Sequence, residues 1–493
     1  MDMKISLCVA ALAVAASAFG AVRAVSPIAW SDGKPDTWQM KRHAEKMEQV
    51  KAGGAKIVFI GDSITHFWES KDKGKAQLEK YFSEGDMKML DLGTSADRTE
   101  HVLWRLNNGE LDGYEAKLVH LMIGTNNAGQ HPIEREAPAD TILGIREILR
   151  TIRAKQPTAK IVLSAIFPRG ATADDPIRRR NEIVNREIMN FADGKTIFWC
   201  DFSDQFLTAD GRLSPDIFPD RLHPNGLGYE IWFSAVKPYI DYALSDGALP
   251  VPANRYSSRV YGCAYRMDEG VSVFPESRIG DIGRAGDRWW LDRLSAKRKQ
   301  ISESNGEIDL VFFGDSITHN WEGPGRDSLA ELMKTYSVLD IGFSGDRTEH
   351  LLWRGEYGGV LDGYKAKCVM LMVGTNNTWH RKDKPTAIAE GIRAILDLIA
   401  RKQPDATTLL LPIFPFGPNA EDPKRVNNEK VNAIIKGYAD GKKVIWVDFN
   451  SKFLDEKGDT VALMPDRCHP NAKGYAEVWL PSVLPYFKEI CQH

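Results

Sequence analysis

Two serines in this chain have the same neighbours. The stretch GDSITH spans residues 61–66 and returns at residues 314–319, each time directly after a short apolar run. A serine hydroxyl is a weak nucleophile until a base removes its proton, and the usual base is a histidine oriented by a carboxylate. If Ser63 and Ser316 do chemistry, each therefore needs such a histidine elsewhere in the sequence.

A repeated turn supplies both groups. DRLHPN at 220–225 and DRCHPN at 466–471 each place an aspartate three residues before a histidine. On a turn, that spacing lets the carboxylate reach Nδ1 of the imidazole, which leaves Nε2 to face the serine. We predict two catalytic triads: Ser63, His223 and Asp220 in the first copy, and Ser316, His469 and Asp466 in the second.

Further blocks repeat in the same order. DRTEHVLWR at 97–105 matches DRTEHLLWR at 346–354, and IGTNN at 123–127 matches VGTNN at 373–377. A period of roughly 250 residues is far longer than a solenoid repeat, so a whole domain is duplicated. Each motif alone is weak evidence, but their joint recurrence favours a serine hydrolase over a set of structural turns.

Short, nearly continuous apolar runs precede the polar motifs in both copies. KIVFI and LVHLMIG in the first copy, like DLVFF and CVMLMVG in the second, are typical of strands buried on both faces of a parallel sheet. Between them, TILGIREILRTIRAKQP has helical periodicity and ends at a proline. Alternating strands and helices predict doubly wound α/β domains, with the polar motifs at the carboxyl ends of the strands.

The order GDS, GxxGD, GTNN and DxxH resembles the SGNH (GDSL) hydrolase family. Within it, each copy is most similar to the catalytic alpha subunits of type Ib platelet-activating-factor acetylhydrolase, over roughly residues 40–245 and 290–490. The resemblance implies two tandem flavodoxin-like α/β/α three-layer domains with parallel sheets. It also implies hydrolysis of acyl esters without a metal or other cofactor.

The same resemblance implies an oxyanion hole built from the serine N–H, a backbone N–H of the second block and the first asparagine of GTNN. These residues are Ala96 and Asn126 in the first copy and Gly345 and Asn376 in the second. Ala96 departs from the family pattern, and an alanine is strained there if the position needs a positive φ. Because a misplaced donor costs roughly a hundredfold in rate, we predict that the second copy is the more active one.

The N-terminus reads as a leader. A basic start, an apolar Ala-rich run and small residues up to Ala24 predict a secretory signal peptide over 1–24, with a retained anchor as the alternative. We predict SGNH domains over 25–247 and 287–493, joined by a Gly-, Pro- and Ser-containing linker over 248–286. The protein would then be secreted or periplasmic, without stable membrane insertion after leader removal.

Composition limits the partners. A formal net charge of -3 provides no basic field for nucleic acid. No metal-binding, nucleotide-binding or GxSxG motif is present, and the five cysteines beyond the leader are scattered. The expected partner is an acylated small molecule or polysaccharide, and the two copies could pair within the chain as the type Ib subunits do.

Several repeated side chains have a structural reading beside a functional one. His66 and His319 either line the pocket rim or pack on the next helix. For the others, core packing, salt bridges or backbone hydrogen bonds are the commoner roles, although a sugar platform, an anion site or a reactive thiol is the functional alternative. These others are Trp68, Trp321, Arg98, Arg105, Arg347, Arg354, His101, His350, Asn181, Asn185, Asn428, Asn432 and Cys468.

We therefore expect a secreted esterase that removes short acyl groups, acetyl first among them, from carbohydrate esters. Two alternatives stay open. One is a lipid acylhydrolase or thioesterase, resembling a lysophospholipase or the type Ib enzymes. The other is a chain with one active domain and one copy, most plainly the first, that serves as a carbohydrate-binding scaffold.

Overall fold

Each copy of the repeat builds its own five-stranded parallel sheet. The computed structural model describes residues 23–83, 85–129, 136–245, 271–273, 275–278 and 286–491. Every strand begins within an apolar run that the sequence marks as buried. The strands of the first domain are β1 Ile57–Gly61, β2 Met89–Gly93, β3 Leu118–Met122, β4 Lys160–Ser164 and β5 Ile197–Cys200, and those of the second are β6 Leu310–Gly314, β7 Val338–Gly342, β8 Cys368–Met372, β9 Thr407–Leu410 and β10 Val444–Trp446.

The strand order is the same in both sheets. It runs β2-β1-β3-β4-β5 in the first domain and β7-β6-β8-β9-β10 in the second, with every pair parallel. This is the flavodoxin-like order, in which ligands bind beyond the carboxyl ends of the strands. The predicted fold class, two tandem α/β domains with parallel sheets, is confirmed.

Helices cover both faces of each sheet. The period-two alternation of a strand sends Val58 and Ile60 to one apolar cluster, and Ile57 and Phe59 to another on the opposite face. Both faces are therefore dry, which explains the unbroken apolar runs. The helices are α1 Trp38–Lys51, α2 Ser63–His66, α3 Lys75–Tyr81, α4 Thr99–Arg105, α5 Thr125–Gly129, α6 Pro138–Lys155, α7 Pro176–Ile188, α8 Gly226–Leu244, α9 Gly286–Glu303, α10 Ser316–His319, α11 Arg326–Leu332, α12 Thr348–Glu356, α13 Pro385–Lys402, α14 Pro423–Ile435 and α15 Leu480–Cys491.

Short helices of other types complete the two layers. None of the helices in the described ranges is long and apolar enough to cross a membrane. The 3-10 helices are Arg23–Val25, Trp30–Gly33, Phe67–Glu69, Gly85–Met87, Met189–Phe191, Ser203–Phe206, Val271–Val273, Asn320–Glu322, Lys436–Tyr438 and Asn450–Phe453, and the π-helical turns are Leu106–Glu110, Asn377–Arg381 and Gly474–Trp479.

The repeat extends upstream of the strands. Arg23–Val25 packs on α6, and Ile28 N–H donates to the carbonyl of Glu100 at 3.1 Å. In the second domain Val271–Val273 packs on α13, and Glu276 N–H donates to the carbonyl of Glu349 at 3.2 Å. Ala24, the last residue of the predicted leader, is thus buried. Of the predicted linker, residues 271–273 and 275–278 contact the second domain, while residues 248–270, 274 and 279–285 lie outside the described residues.

The two domains contact each other through α6 of the first domain and, in the second, α9 and the residue that follows α12. Arg298 of α9 forms a salt bridge of 2.8 Å with Asp140 of α6, and both side chains are largely buried. Ala139 N–H donates to the carbonyl of Tyr357 at 3.1 Å. One apolar cluster continues from Leu149 to Trp290 and so includes both domains. The two copies therefore contact each other within the chain.

Candidate active site

The serine of each GDS motif stands at a strand-to-helix junction. β1 ends at Gly61, Asp62 caps the next helix by accepting a 3.0 Å hydrogen bond from Ile64 N–H, and Ser63 is the first residue of α2. At this position the backbone amide has no acceptor within its own helix. Ser316 repeats the arrangement behind Asp315.

A hydrogen-bonded chain of three side chains forms in each domain. Ser63 Oγ lies 2.9 Å from His223 Nε2, and His223 Nδ1 lies 2.8 Å from Asp220 Oδ2. In the second domain Ser316 Oγ lies 2.9 Å from His469 Nε2, and the distance from His469 Nδ1 to the carboxylate of Asp466 is 2.7 Å. The structure thus brings all six residues of the two predicted triads together, within hydrogen-bonding reach.

Backbone amides fix the carboxylate. Asp220 Oδ1 accepts hydrogen bonds from the N–H groups of Leu222 at 3.0 Å and His223 at 2.7 Å, while Oδ2 faces the imidazole. Burial alone would raise the pKa of Asp220, but the hydrogen bonds from His223 outweigh it and the pKa lies below its usual value. The turn that allows this places Arg221 in the left-handed region at φ 62°.

The predicted oxyanion donors lie at the carboxyl ends of three adjacent strands. Ser63 follows β1, Ala96 follows β2 and Asn126 follows β3, and β1 lies between the other two. Asn126 Nδ2 donates to the carbonyl of Asp97 at 3.0 Å, which ties the amide to the loop that holds Ala96. An amide group has a second N–H, so the tie leaves one hydrogen for a bound oxygen.

The second domain repeats this tie. Asn376 Nδ2 donates to the carbonyl of Asp346 at 2.9 Å, next to Gly345. The two loops have the same backbone conformation, with φ of 70° at Ala96 and 79° at Gly345. The position therefore needs a positive φ, which is the condition under which an alanine is strained. Which domain is the more active remains a prediction.

His66 and His319 support the loops that carry the predicted oxyanion donors. His66 Nδ1 lies 2.8 Å from the hydroxyl of Ser95, the residue before Ala96, and its ring stacks on Trp38. Burial, reinforced by the positive charge of Arg42, lowers the pKa of His66 to about 4, so the ring is neutral at pH 7. His319 makes the same bond to Ser344. Both histidines therefore position a loop.

The remaining repeated residues have structural contacts. Trp68 and Trp321 are fully buried, so neither offers a face to a sugar. Arg105 forms a buried salt bridge of 2.6 Å with Asp97, and Arg354 forms one of 2.7 Å with Asp346. These observations agree with the structural readings. The other ties are Arg98 to Glu100, Arg347 to Glu349, His101 to Arg98 N–H, His350 to Arg347 N–H, Asn181 to Thr125, Asn428 to Thr378, Asn185 to the backbone of Ile166 and Asn432 to that of Ile413.

Cys468 is also a packing residue. It is buried beside the predicted Asp466–His469 pair, and burial raises the pKa of its thiol. A thiol that stays protonated is a poor nucleophile. Within the described residues, no group of three or more His, Cys, Asp or Glu side chains could hold a metal ion.

A family profile matches both domains. The GDSL-like Lipase/Acylhydrolase family matches residues 59–231 and 312–477, which together are more than half of the chain. The chain belongs to this family. As a GDSL-like acylhydrolase it is an ester-hydrolysing enzyme with two catalytic-type domains, each of which contains the serine, asparagine, aspartate and histidine described above.

Curated relatives and solved structures are each similar to part of this chain. The chain is 31% identical over 207 residues to human platelet-activating factor acetylhydrolase IB subunit alpha1, covering 42% of this chain and 84% of that one. It is 30% identical over 208 residues to the mouse alpha2 subunit, with 42% and 85% covered. Solved structures include a GDSL-like lipase from Bacteroides thetaiotaomicron, at 21% identity, TM-score 0.33 and coverage of 41% and 97%. Another is an acetylxylan esterase from Geobacillus stearothermophilus, at 21% identity, TM-score 0.32 and coverage of 37% and 96%.

Sequence reasoning missed the residues around the mouth of each site. Arg169 and Phe416 occupy the same place in IFPRG and IFPFG, and Gly129 and Trp379 the same place in TNNAG and TNNTW. A search for residues that are identical in the two copies does not find these positions. They could have been found as residues that differ in chemistry between the copies although they stand directly beside a repeated motif.

Proposed function

We propose that both domains are serine esterases and that their triads perform the same two-step acyl transfer. The observation that carries this proposal is the Ser–His–Asp hydrogen-bonded chain present in each domain. His223 Nε2 takes the proton of Ser63 as Oγ bonds to the ester carbonyl carbon. The same nitrogen returns that proton to the departing alcohol oxygen when the ester C–O bond breaks.

Deacylation uses the same groups. A water molecule gives a proton to His223 and attacks the acyl carbon, and the proton returns to Ser63 Oγ as the acid leaves. Asp220 accepts the Nδ1–H bond throughout and stabilises the imidazolium. His469 and Asp466 play these parts for Ser316.

The oxyanion forms beside three donors in each domain. For the first these are the N–H of Ser63, the N–H of Ala96 and the side chain of Asn126. For the second they are the N–H groups of Ser316 and Gly345 and the side chain of Asn376. Such donors act only if they are already aimed at the developing charge. The Asn-to-loop hydrogen bonds supply that preorganisation.

We further propose a short acyl group, acetyl first, carried on a carbohydrate. The relatives that are 30–31% identical are named acetylhydrolases, which supports the acyl part. The carbohydrate part rests on the predicted leader, because an enzyme outside the cytoplasm meets acetylated polysaccharides. A lipid ester is the competing substrate, since platelet-activating factor is what those relatives are named for.

Acetate release from acetylated xylan, pectin and bacterial polysaccharides tests the substrate. The matched measurement is hydrolysis of 4-nitrophenyl esters from C2 to C12. We expect C2 to be preferred; a preference for C8 or longer would replace the acetylesterase proposal with the lipid one. Labelling with a fluorophosphonate should modify two serines per chain, and a single labelled serine would instead support a scaffold copy.

Localisation outside the cytoplasm is a separate proposal. The predicted leader spans residues 1–24, of which residues 1–22 lie outside the described residues. A cut after Ala24 would remove the salt bridge of 3.0 Å between Arg23 and Glu100, whereas a cut before residue 23 keeps it. The mass of the exported protein distinguishes the two, and a full-length protein retained in the cytoplasm would contradict export.

A further inference from the structure

Four aligned positions around the two sites differ in chemistry. They lie beside invariant motifs, in the loops and helix starts that face the triads. Three of the pairs exchange a charged side chain for an uncharged one, or the reverse, and the fourth exchanges glycine for tryptophan. The pairs, with the first-domain residue first, are Lys73 and Pro324, Gly129 and Trp379, Arg169 and Phe416, and Ile177 and Lys424.

Arg169, like the aligned Phe416 of the second domain, lies between the predicted catalytic histidine and the predicted oxyanion asparagine of its domain. Gly170 N–H donates to the carbonyl of Arg221 at 3.0 Å, which fastens this loop to the Asp-x-x-His turn. On the other side, Arg169 Nη1 donates to the carbonyl of Thr125 at 3.3 Å and to its hydroxyl at 3.2 Å. Thr125 directly precedes Asn126. A side chain here therefore borders the space in front of Ser63.

The first site has a cationic mouth. Burial lowers the pKa of the Arg169 guanidinium, while the negative charges of Asp175, Asp62 and Asp220 act to raise it. A second cation, Lys73 Nζ, lies 3.9 Å from Asp220 Oδ2. Among described residues, no carboxylate lies within salt-bridge distance of Arg169.

Gly129 makes room for the guanidinium. A Cβ at this position would lie only 2.6 Å from Arg169 Nη1, so a larger side chain would displace it. The aligned residue in the second domain is Trp379. Arg169 can therefore occupy this position because residue 129 is a glycine.

The second site has an aromatic mouth. Trp379 contacts Phe416 edge to face, with ring centroids 5.0 Å apart, and 46% of Trp379 is exposed. Lys424 lies over both rings, 4.5 Å from the centroid of Trp379 and 4.6 Å from that of Phe416. Gly417 N–H donates to the carbonyl of Arg467 at 3.0 Å, so the loop is fastened as in the first domain.

We propose that the two sites divide the substrates by charge. The first domain takes acyl esters on sugars that carry a carboxylate, held by Arg169 and Lys73. The second takes acyl esters on uncharged sugar rings, which lie on the exposed face of Trp379. Arginine matches a carboxylate in geometry and charge, and an indole offers a large flat apolar surface. This division rests on the proposed esterase function.

Variants that keep only one of the two predicted nucleophiles allow the substrate preference of each site to be measured separately. Ser316→Ala leaves the first site active, and Ser63→Ala leaves the second. The probes are an O-acetylated methyl glucuronide, used as the free acid, and its methyl ester, which differs only by the charge. We expect the ratio of kcat/KM for acid over ester to be about fivefold higher in the first site than in the second, and to fall toward equality in 0.5 M salt.

Variants assign the ratio to residues. In the Ser316→Ala background, Arg169→Met and Lys73→Met should each lower the acid-to-ester ratio by about threefold, mainly through KM. Lys334→Met, which removes an exposed charge from the other domain, is the matched control and should leave the ratio unchanged. In the Ser63→Ala background, Trp379→Ala should raise KM for the sugar ester about fivefold while KM for methyl acetate is unchanged.

The outcomes separate the two proposals. Equal ratios in both sites, with 4-nitrophenyl acetate still hydrolysed, would overturn the division of substrates and leave the esterase function intact. A second site that prefers the acid and loses this preference on Lys424→Ile would overturn it too. Absence of any acetate hydrolysis, with both serines still labelled by a fluorophosphonate, would overturn the acetylesterase proposal and the division of acetylated substrates together.

Discussion

The two domains differ at the loops that carry the predicted oxyanion donors Ala96 and Gly345, while the geometry of their predicted triads agrees. The serine–histidine distances are 2.9 Å in both, and the histidine–aspartate distances are 2.8 and 2.7 Å. One loop nevertheless carries Ala96 at φ 70° and the other Gly345 at φ 79°. The comparison teaches that both loops have the same positive φ, although only the second has the glycine that adopts it without strain.

The segments that precede β1 and β6 also differ where they contact these loops. Trp30 donates from Nε1 to Asp97 at 2.7 Å and stacks on His101 with centroids 3.9 Å apart. The aligned Arg278 donates to the carbonyl of Ser344 at 2.6 Å, beside Gly345. A Cβ at Gly345 would lie 2.7 Å from Nη1 of this arginine. The second loop is therefore packed for a glycine, whereas the first accommodates an alanine.

Removal of the nucleophiles gives the largest expected effect. Ser63→Ala with Ser316→Ala should lower kcat for 4-nitrophenyl acetate at least a thousandfold, because no covalent acyl intermediate can form. Each single variant then reports the activity of the other domain, and we expect Ser63→Ala to retain more than Ser316→Ala. Equal retention would contradict the predicted advantage of the second domain.

The asparagines come next. Asn126→Ala, measured in the Ser316→Ala background, and Asn376→Ala, measured in the Ser63→Ala background, should each lower kcat about a hundredfold. Each change removes one oxyanion donor and the hydrogen bond that ties it to the loop. Asn190→Ala, on an outer helical turn, is the control. A loss below threefold for either asparagine would show that its side chain does not contact the oxyanion.

The buried aspartate of each GDS motif predicts a pH dependence of stability. Burial raises the pKa of Asp315 from 3.8 to about 7, so the folded state holds this proton more tightly than the unfolded state does. The stabilisation is complete below pH 4 and is lost as the pH rises toward 7. Asp315→Asn should therefore increase the free energy of unfolding of the second domain more at pH 7.5 than at pH 5, by about 2 kcal/mol.

Denaturant unfolding at the two pH values provides this measurement. Asn keeps an acceptor for Ile317 N–H, so the cap of α10 is preserved. The exposed Glu489→Gln is the control. If Asp315→Asn changed the free energy of unfolding by the same amount at both pH values, the raised pKa of Asp315 would be contradicted. Asp62, whose pKa is also raised to about 7, should respond alike in the first domain.

Exchanging the loop residues gives the smallest expected effect. Gly345→Ala should destabilise the second domain by about 1 kcal/mol, because alanine is strained at this φ and its Cβ approaches Arg278. Ala96→Gly should stabilise the first domain by up to about 1 kcal/mol and raise its kcat. Thermal unfolding and kinetics in the single-site backgrounds check both; unchanged kcat in both would separate the loop residue from any difference in activity.

Much of the fold follows from the sequence because the apolar pattern is local. LVHLMIG and CVMLMVG are nearly continuous apolar runs, which are typical of strands buried on both faces, and β3 and β8 lie there. The Asp-x-x-His spacing likewise lets the carboxylate reach the imidazole within one turn, and the position of the GDS motif after a strand predicts where the serine lies. Arg169 and Trp379 could not be assigned in this way, since their environment comes from loops that are distant in sequence.

The sequence by itself determined the duplication, the α/β class and which serine, histidine and aspartate belong together, because these depend on spacing within short segments and on repetition. Tertiary structure alone decided the rest. It placed Ala96 at a positive φ and turned His66 toward Ser95. It also set Arg169 against Gly129 in one domain and Trp379 against Phe416 in the other. Such contacts join segments tens of residues apart, and only the packing of strands and helices into one sheet brings them within reach.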